Sequence, residues 1–244
     1  MSIDTEGPGR FCNQVIRSWF ASILAGRLDL AVDYAHGADI RRLGAELFSG
    51  SVVLPGEFAP ATDSALLDFL EGLAPPPATK ICFRNDDCYF QSHRCSARLR
   101  EWLLSQAERV RAANPFAARY RNNSDVFLHV RLGDASAFSP GIDFFRAALA
   151  RVGPDPAGCI SSDSPEHPLI LQLVSEFPRL RVVLSDDLPL LILFASTFAH
   201  VVLSHGSFSA VIGFLAFDST VYYAPYNVAW CGDMFSQPDW VLVQ

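Results

Sequence analysis

Three polar clusters in the second half of the sequence follow apolar stretches, and their residue types suit the binding of an anion. His129, Arg131 and Asp134 end the first stretch (VFLHVRLGD), Asp163 lies in the second (GCISSDSP), and Ser207 lies in the third (HVVLSHGSFS). The guanidinium fork of an arginine binds a phosphate or carboxylate bidentately, and a helix N-terminus offers N–H groups to phosphate oxygens. We therefore expect Arg131 and the helix that starts near Ser207 to neutralise a diphosphate together.

Each of these residues also has a purely structural interpretation. Arg131 could form a salt bridge with Asp134, whereas Asp163, Ser207 and Ser209 could be helix N-caps, which is a common role of Asp and Ser. Asp163 could instead accept hydrogen bonds from the amino and imino edge of a guanine. The convergence of three clusters favours a ligand site.

The elements that position these clusters alternate regularly after Asn122. Apolar runs predict strands at residues 126–132, 158–162, 181–185, 200–204 and 220–224. The segments between them predict helices, and this alternation indicates a parallel, doubly wound α/β sheet. In such a sheet the ligand crevice lies at the carboxyl ends of the strands, where all three clusters fall.

The first half of the chain is less regular. It is expected to open with a glycine-rich loop (GPGRFCNQ, residues 7–14), a helix and a short strand. The loop could present N–H groups to an anion, although it matches neither the dinucleotide-binding nor the P-loop pattern; a flexible N-terminal turn is the alternative. We place a boundary near residue 118, between an irregular α/β domain (1–118) and a Rossmann-like domain (119–244).

Composition excludes several classes of partner. The net charge of -7 argues against nucleic acid as a partner, because binding a polyanion needs a basic face.

Residues 188–217 contain no Asp, Glu, Lys or Arg and exceed the roughly 20 residues that a spanning helix needs. The interruption SHGS favours helix, strand and helix instead, so we expect no membrane span. Without a leader-like N-terminus we expect a cytoplasmic protein, or a lumenal one if the chain is a trimmed domain.

The cysteines and paired acids give no metal signature. Six cysteines without a leader favour free thiols, and the spacing of Cys82, Cys88, His93 and Cys95 fits no common zinc pattern. Asp186 and Asp187 are adjacent and start a predicted helix, where capping explains them better than a metal-binding Asp-x-Asp. We therefore expect no metal.

The motifs GRFCNQ, FLHVRLGD, ISSDSP and LSHGSFS, in this order, resemble the fucosyltransferase superfamily. They are most similar to glycosyltransferase family 11, the α1,2-fucosyltransferases, which are related to the α1,6- and protein O-fucosyltransferases. The similarity covers the two ends of the first helix of the N-terminal half and nearly all of residues 124–224. It implies a variant GT-B fold with two Rossmann-like halves, GDP-β-L-fucose as donor, a glycan hydroxyl as acceptor, inversion at the anomeric carbon, and no metal cofactor.

The resemblance also implies which residues contact the donor. Arg131 would bind the β-phosphate, and His129 and Asp163 would contact the guanine. The residues implied on the diphosphate and ribose are Ser207, Phe208 and Ser209. Those implied to close over the sugar and phosphate from the N-terminal domain are Gly9, Arg10, Asn13 and Gln14.

Two choices stay open at the level of sequence. Asp134 is our candidate general base, because it follows the donor-binding arginine closely, and Asp33 and His205 are alternatives. Family 11 usually has Gly at position 12, Arg at 132 and a Trp pair at 210 and 211, and this chain has Cys, Leu, Ala and Val there. A transferase for another 6-deoxy sugar, such as rhamnose, and a non-catalytic nucleotide-sugar or glycan-binding module are therefore the alternative functions.

Overall fold

The chain divides into two compact units, Met1–Val110 and Arg111–Gln244. The computed structural model describes residues 1–7, 9–84, 89–225 and 232–244, so Cys88 and Cys231 lie outside the described residues. The sequence-based boundary at residue 118 lies a few residues after this division. Each unit contains a parallel β-sheet and helices, which confirms the predicted α/β class with two Rossmann-like halves.

The N-terminal unit holds a four-stranded parallel sheet of very short strands. Its strands are β1 (Ile3–Asp4), β2 (Val32–Asp33), β3 (Ala59–Pro60) and β4 (Ile81–Cys82), in the order β2-β1-β4-β3. Its helices are α1 (Phe11–Leu28), α2 (Gly37–Arg41), α3 (Asp63–Leu70), α4 (His93–Ser105) and α5 (Ala107–Ala113), the last reaching into the second unit. Strand β1 was not predicted, so the glycine loop follows a strand instead of opening the chain.

Helix α1 carries much of the core of this unit. The apolar residues that recur at helical spacing are all buried: Val15, Ile16, Trp19, Phe20, Ile23 and Leu24. The helix runs past Gly26 and ends at Leu28, where Asp29 takes a left-handed conformation as the C-cap. Residues 93–113 form α4 and α5, with a break at Gln106.

The C-terminal unit holds a six-stranded parallel sheet. Its strands are β5 (Val126–Val130), β6 (Gly158–Ser162), β7 (Leu180–Val182), β8 (His200–Leu203), β9 (Thr220–Tyr223) and β10 (Val241–Leu242). The spatial order β10-β9-β8-β5-β6-β7 is the Rossmann arrangement, in which the chain starts at the centre and builds outward on each side in turn. The predicted doubly wound sheet is confirmed, and β10 is an addition that the sequence did not reveal.

Four helices connect these strands and cover the sheet. They are α6 (Ile142–Val152), α7 (Pro168–Glu176), α8 (Leu188–Ala195) and α9 (Ser207–Leu215), with short 3₁₀ helices at Ala117–Arg119 and Gly133–Phe138. Strand β5 is buried along its whole length, as expected for a central strand covered on both faces. Residues 188–217 form α8, β8 and α9, as predicted. In the described ranges, no helix has both the length and the apolar character needed to cross a membrane.

The cysteines that the structure describes are free thiols: Cys12, Cys82, Cys95 and Cys159. Burial raises the pKa of Cys95 to about 12, so its thiol is protonated at neutral pH. Across the described residues, no three side chains of His, Cys, Asp or Glu are grouped as metal ligands would be.

Candidate functional site

The polar clusters of the C-terminal unit meet at the carboxyl ends of β5 and β8. These strands are neighbours at the centre of the sheet, and successive strands are added on opposite sides of this pair. Arg131 directly follows β5, and Gly206 lies between β8 and α9. This is the topological switch point, where open α/β sheets bind their ligands.

A buried layer of hydrogen bonds fixes this edge of the sheet. The Nδ1 atom of His129 lies 2.6 Å from the hydroxyl oxygen of Ser209, which in turn lies 3.4 Å from that of Ser204. The Ser204 hydroxyl accepts the Arg131 N–H at 2.8 Å, and the Ser204 N–H donates to the His129 carbonyl at 3.0 Å. Strand β5, the end of β8 and the first turn of α9 are therefore held in one arrangement.

His129 is a neutral member of this layer. Its side chain is buried, and its ring stacks on Phe208 with centroids 4.8 Å apart. Burial lowers the pKa of His129 to about 4, with a smaller lowering from Arg131 and an opposing effect of Asp163. Because Nδ1 is engaged by Ser209, a ligand contact from this ring would use Nε2.

Arg131 carries the positive charge of the site and is paired with two carboxylates. Its guanidinium forms ion pairs with Asp134 and Asp163. Asp163 also accepts the Leu132 N–H at 2.8 Å. The salt bridge considered for Arg131 and Asp134 is thus present. Asp163 does not cap α7, whose N-cap is His167.

Helix α9 begins without a side-chain cap. Gly206, at φ 101°, is its N-cap residue and has no side chain to offer, and the first turn contains no acidic residue. Ser209 uses its hydroxyl on His129 and Ser204 rather than on the helix end. The hydroxyl of Ser207 has no hydrogen-bond partner among the described residues. Capping therefore does not account for either serine.

A cleft of about 290 Å³ opens beside this helix end. It is lined by Arg131, Asp134, Ala135, Phe138, His205 and Gly206. Burial lowers the pKa of His205, so its imidazole is neutral at pH 7. Ser204 and Gly206 were not singled out from the sequence, although both lie inside the SHGSFS motif. Nothing in the sequence pattern pointed to Phe138.

The four predicted N-terminal residues lie together at the start of α1. Gly9 has φ 102°, and Arg10 is the exposed N-cap residue of the helix, without a side-chain cap bond. The Gln14 amide donates to the carbonyls of Gly7 at 2.6 Å and Gly9 at 3.3 Å. Asn13 accepts a hydrogen bond from Gln91 at 2.9 Å. Gln14 thus links the start of α1 to the loop before it, and Gln91 links it to the segment before α4.

Two further sequence expectations concern acidic residues. Asp187 accepts the Leu190 N–H at 3.0 Å and is the N-cap of α8, as expected from the sequence. Asp33, an alternative general base, lies in β2 of the N-terminal unit, whereas Asp134 and His205 line the cleft.

Solved structures share this fold. The chain matches a NodZ alpha-1,6-fucosyltransferase soaked with GDP-fucose with a TM-score of 0.55 and 13% identity, over 87% of this chain and 91% of that one. It matches fucosyltransferase NodZ from Bradyrhizobium with a TM-score of 0.52 and 13% identity, over 87% and 92% of the two chains. No protein-family profile and no curated protein sequence matches. At this identity the likeness establishes the fold.

Proposed function

We propose that this protein is a glycosyltransferase that moves L-fucose from GDP-β-L-fucose to a hydroxyl of a glycan. The observation that carries the proposal is the meeting of Arg131 with the uncapped N-terminus of α9 at the switch point of a Rossmann sheet. A guanidinium and free helix N–H groups together suit a diphosphate. The fold likeness to a fucosyltransferase soaked with GDP-fucose supports the choice of donor, and the motif order supports kinship with family 11.

The proposed reaction is a single in-line displacement with inversion. The acceptor oxygen bonds to the anomeric carbon from the face opposite GDP, and the bond from that carbon to the diphosphate oxygen breaks with its electron pair leaving on GDP. Arg131 and the α9 N–H groups stabilise the charge that develops on the leaving diphosphate, without a metal. Asp134 takes the acceptor proton, because its carboxylate lines the cleft beside Arg131.

Other roles rest on the motif resemblance and remain predictions. They are contacts of His129 and Asp163 with guanine, of Ser207, Phe208 and Ser209 with diphosphate and ribose, and of Gly9, Arg10, Asn13 and Gln14 with the sugar and phosphate. A cytoplasmic location likewise remains a prediction.

Calorimetric titration of GDP and of UDP into the wild type and Arg131→Ala, with EDTA present, tests the proposal. We expect the wild type to bind GDP in preference to UDP, and Arg131→Ala to lose roughly 10- to 100-fold in affinity, because a hydrogen bond to a charged group contributes about 1.5–3 kcal/mol. Arg146→Ala is a matched control, because Arg146 also pairs with two carboxylates, Asp143 and Glu176, on α6 and α7. It should bind GDP like the wild type.

Absence of GDP binding, or binding that is indifferent to Arg131, would contradict a donor site here. If GDP binds, turnover with GDP-fucose and with other GDP-linked 6-deoxy sugars identifies the donor. Binding of the donor without sugar release to any tested acceptor would instead indicate a non-catalytic nucleotide-sugar module. Loss of GDP binding in EDTA, restored by a divalent cation, would contradict the metal-independent mechanism.

A further inference from the structure

The positively charged guanidinium of the candidate site is already paired with carboxylates of the same chain. The guanidinium of Arg131 pairs with Asp134 and with Asp163, and the side chain of Arg131 is only 19% exposed. We propose that Asp134 is a displaceable occupant of the diphosphate site, so that the donor phosphate replaces its carboxylate on Arg131. This inference rests on the proposed function and adds what controls donor affinity at the same site.

Asp163 is the fixed partner of Arg131. Its Oδ1 atom accepts the Leu132 N–H at 2.8 Å. A Cβ on Gly133 would lie 2.6 Å from its Oδ2 atom, so the carboxylate packs against a backbone that only glycine leaves open. The next residue, Ser164, accepts the Gly133 N–H at 3.3 Å. Moving Asp163 would therefore break contacts with the backbone that follows β5.

Asp134 is the partner that can leave. Its side chain is 61% exposed, compared with 27% for Asp163, and it sits in the short 3₁₀ helix after β5. Because water solvates this exposed carboxylate when it leaves Arg131, Asp134 itself loses little by separating from the guanidinium. A diphosphate, with its higher charge and several acceptor oxygens, is the stronger partner for a guanidinium.

The charge balance of the site favours such an exchange. Arg131 contributes one positive charge against the two negative charges of Asp134 and Asp163, and the neutral imidazole of His205 adds none. The two carboxylates repel an entering diphosphate, the N-terminus of α9 offsets part of this repulsion, and moving Asp134 away reduces it further. Once displaced, Asp134 no longer shares its charge with Arg131, and it becomes available as a base only when the donor is bound.

Titration of GDP and of inorganic pyrophosphate into the wild type and Asp134→Asn tests the inference. The variant keeps the size and an acceptor oxygen but loses the charge, so we expect it to bind both compounds about 10-fold more tightly. Asp143→Asn is the matched control, because Asp143 forms the same three-residue-spaced ion pair with Arg146 and is 91% exposed. It should stay within about 2-fold of the wild type.

Donor turnover separates the two roles of Asp134. With GDP-fucose as donor, Asp134→Asn should lower kcat and also lower the KM for the donor. Asp134→Ser, which removes the carboxylate and also shortens the side chain, should give the same tighter GDP binding. Circular dichroism and thermal unfolding verify that both variants are folded.

The outcomes distinguish this inference from the proposed function. If wild-type GDP binding depends on Arg131 but Asp134→Asn and Asp134→Ser bind GDP no more tightly, the function stands and the displacement is wrong. If the wild type binds GDP and both Asp134 variants bind it about 10-fold more tightly, the donor site and the displacement are both supported. If neither the wild type nor these variants bind GDP or pyrophosphate, both ideas are wrong.

Discussion

The described α-helices of this protein differ in how their first turns are satisfied. Four have a side-chain cap that accepts an N–H of the first turn, namely α3 (Thr62), α4 (Ser92), α7 (His167) and α8 (Asp187). Among the described α-helices, α1 and α9 have neither a side-chain cap nor an acidic residue in the first turn. A cap satisfies N–H groups internally, whereas a bare helix end leaves them for an external anion. The bare ends coincide with two of the motifs that predicted donor contacts.

The two bare ends differ in where their cation comes from. Arg17 belongs to α1 itself, is fully buried, and has its guanidinium carbon 4.5 Å from the centre of the Tyr89 ring. Beside α9 the buried residue is the neutral His129 of β5, and the cation, Arg131, directly follows that strand. The guanidinium beside α9 is thus partly exposed, whereas α1 has one fully buried guanidinium, Arg17, in addition to its exposed N-cap residue Arg10.

Alanine at the glycines before these helices should have the largest effect on stability. Gly9 and Gly206 have φ of 102° and 101°, so each alanine variant should lose up to about 3 kcal/mol of unfolding free energy. Gly9→Ala should be the more damaging, because its Cβ would lie 2.1 Å from Nδ2 of Asn13, while a Cβ at Gly206 meets no atom within 4 Å. Urea unfolding measures both variants.

Gly26→Ala provides the control for this pair. Gly26 lies inside α1, and a Cβ there meets nothing within 4 Å. Because alanine favours a helix interior, this variant should gain up to about 1 kcal/mol. Equal losses in all three variants, or none at Gly206, would contradict the strained backbone before α9.

Lowering the pH should reduce the unfolding free energy through the buried imidazole of His129, but not through the buried guanidinium of Arg17. The folded-state pKa of His129, about 4, lies below the ordinary value of 6.5, so the unfolded chain binds more protons between these values. His129 should therefore cost the fold about 2 kcal/mol on going from pH 7 to pH 5, whereas Arg17 stays charged throughout. Unfolding free energies of the wild type and His129→Asn at the two pH values measure this.

The comparison between variants isolates His129 from other histidines. Burial also lowers the pKa values of His200 and His205, so the wild type loses stability from those residues as well. The loss between pH 7 and pH 5 should be smaller in His129→Asn by the contribution of His129 alone. An unchanged loss would mean that the imidazole is already protonated in the fold or is solvated there.

The C-terminal sheet was readable from the sequence because its inner strands are long enough to show a pattern. Strands β5, β8 and β9 each have four or five residues, and each lies inside a predicted apolar run. Strands β1 and β10 have two residues each, which leaves no periodicity to detect. Their positions are set by pairing with distant strands, β1 between β2 and β4 and β10 beside β9.

The sequence placed the polar residues of the site at one edge of the sheet but did not give their hydrogen-bond partners. Residue types at strand ends pointed to Arg131 and Ser209, but the bond between His129 and Ser209 joins residues 80 positions apart. Asp163 and Ser209 were given capping as the simplest alternative, and both instead bind groups of β5 or its loop. Local sequence rules cannot anticipate such partners, because the fold decides which strand ends become neighbours.

The smallest changes in stability are expected from alanine substitutions at two helix N-termini, the capped start of α8 and the uncapped start of α9. Asp187→Ala removes the acceptor of the Leu190 N–H and should lower the unfolding free energy by about 1 kcal/mol. Ser207→Ala, at the start of α9, should change stability by no more than a few tenths of a kcal/mol, because this hydroxyl caps nothing. In calorimetry, Ser207→Ala should instead weaken GDP binding, while Asp187→Ala leaves it unchanged. The reverse pattern would mean that α9 is capped by its own serine and that its N-terminus is not reserved for a ligand.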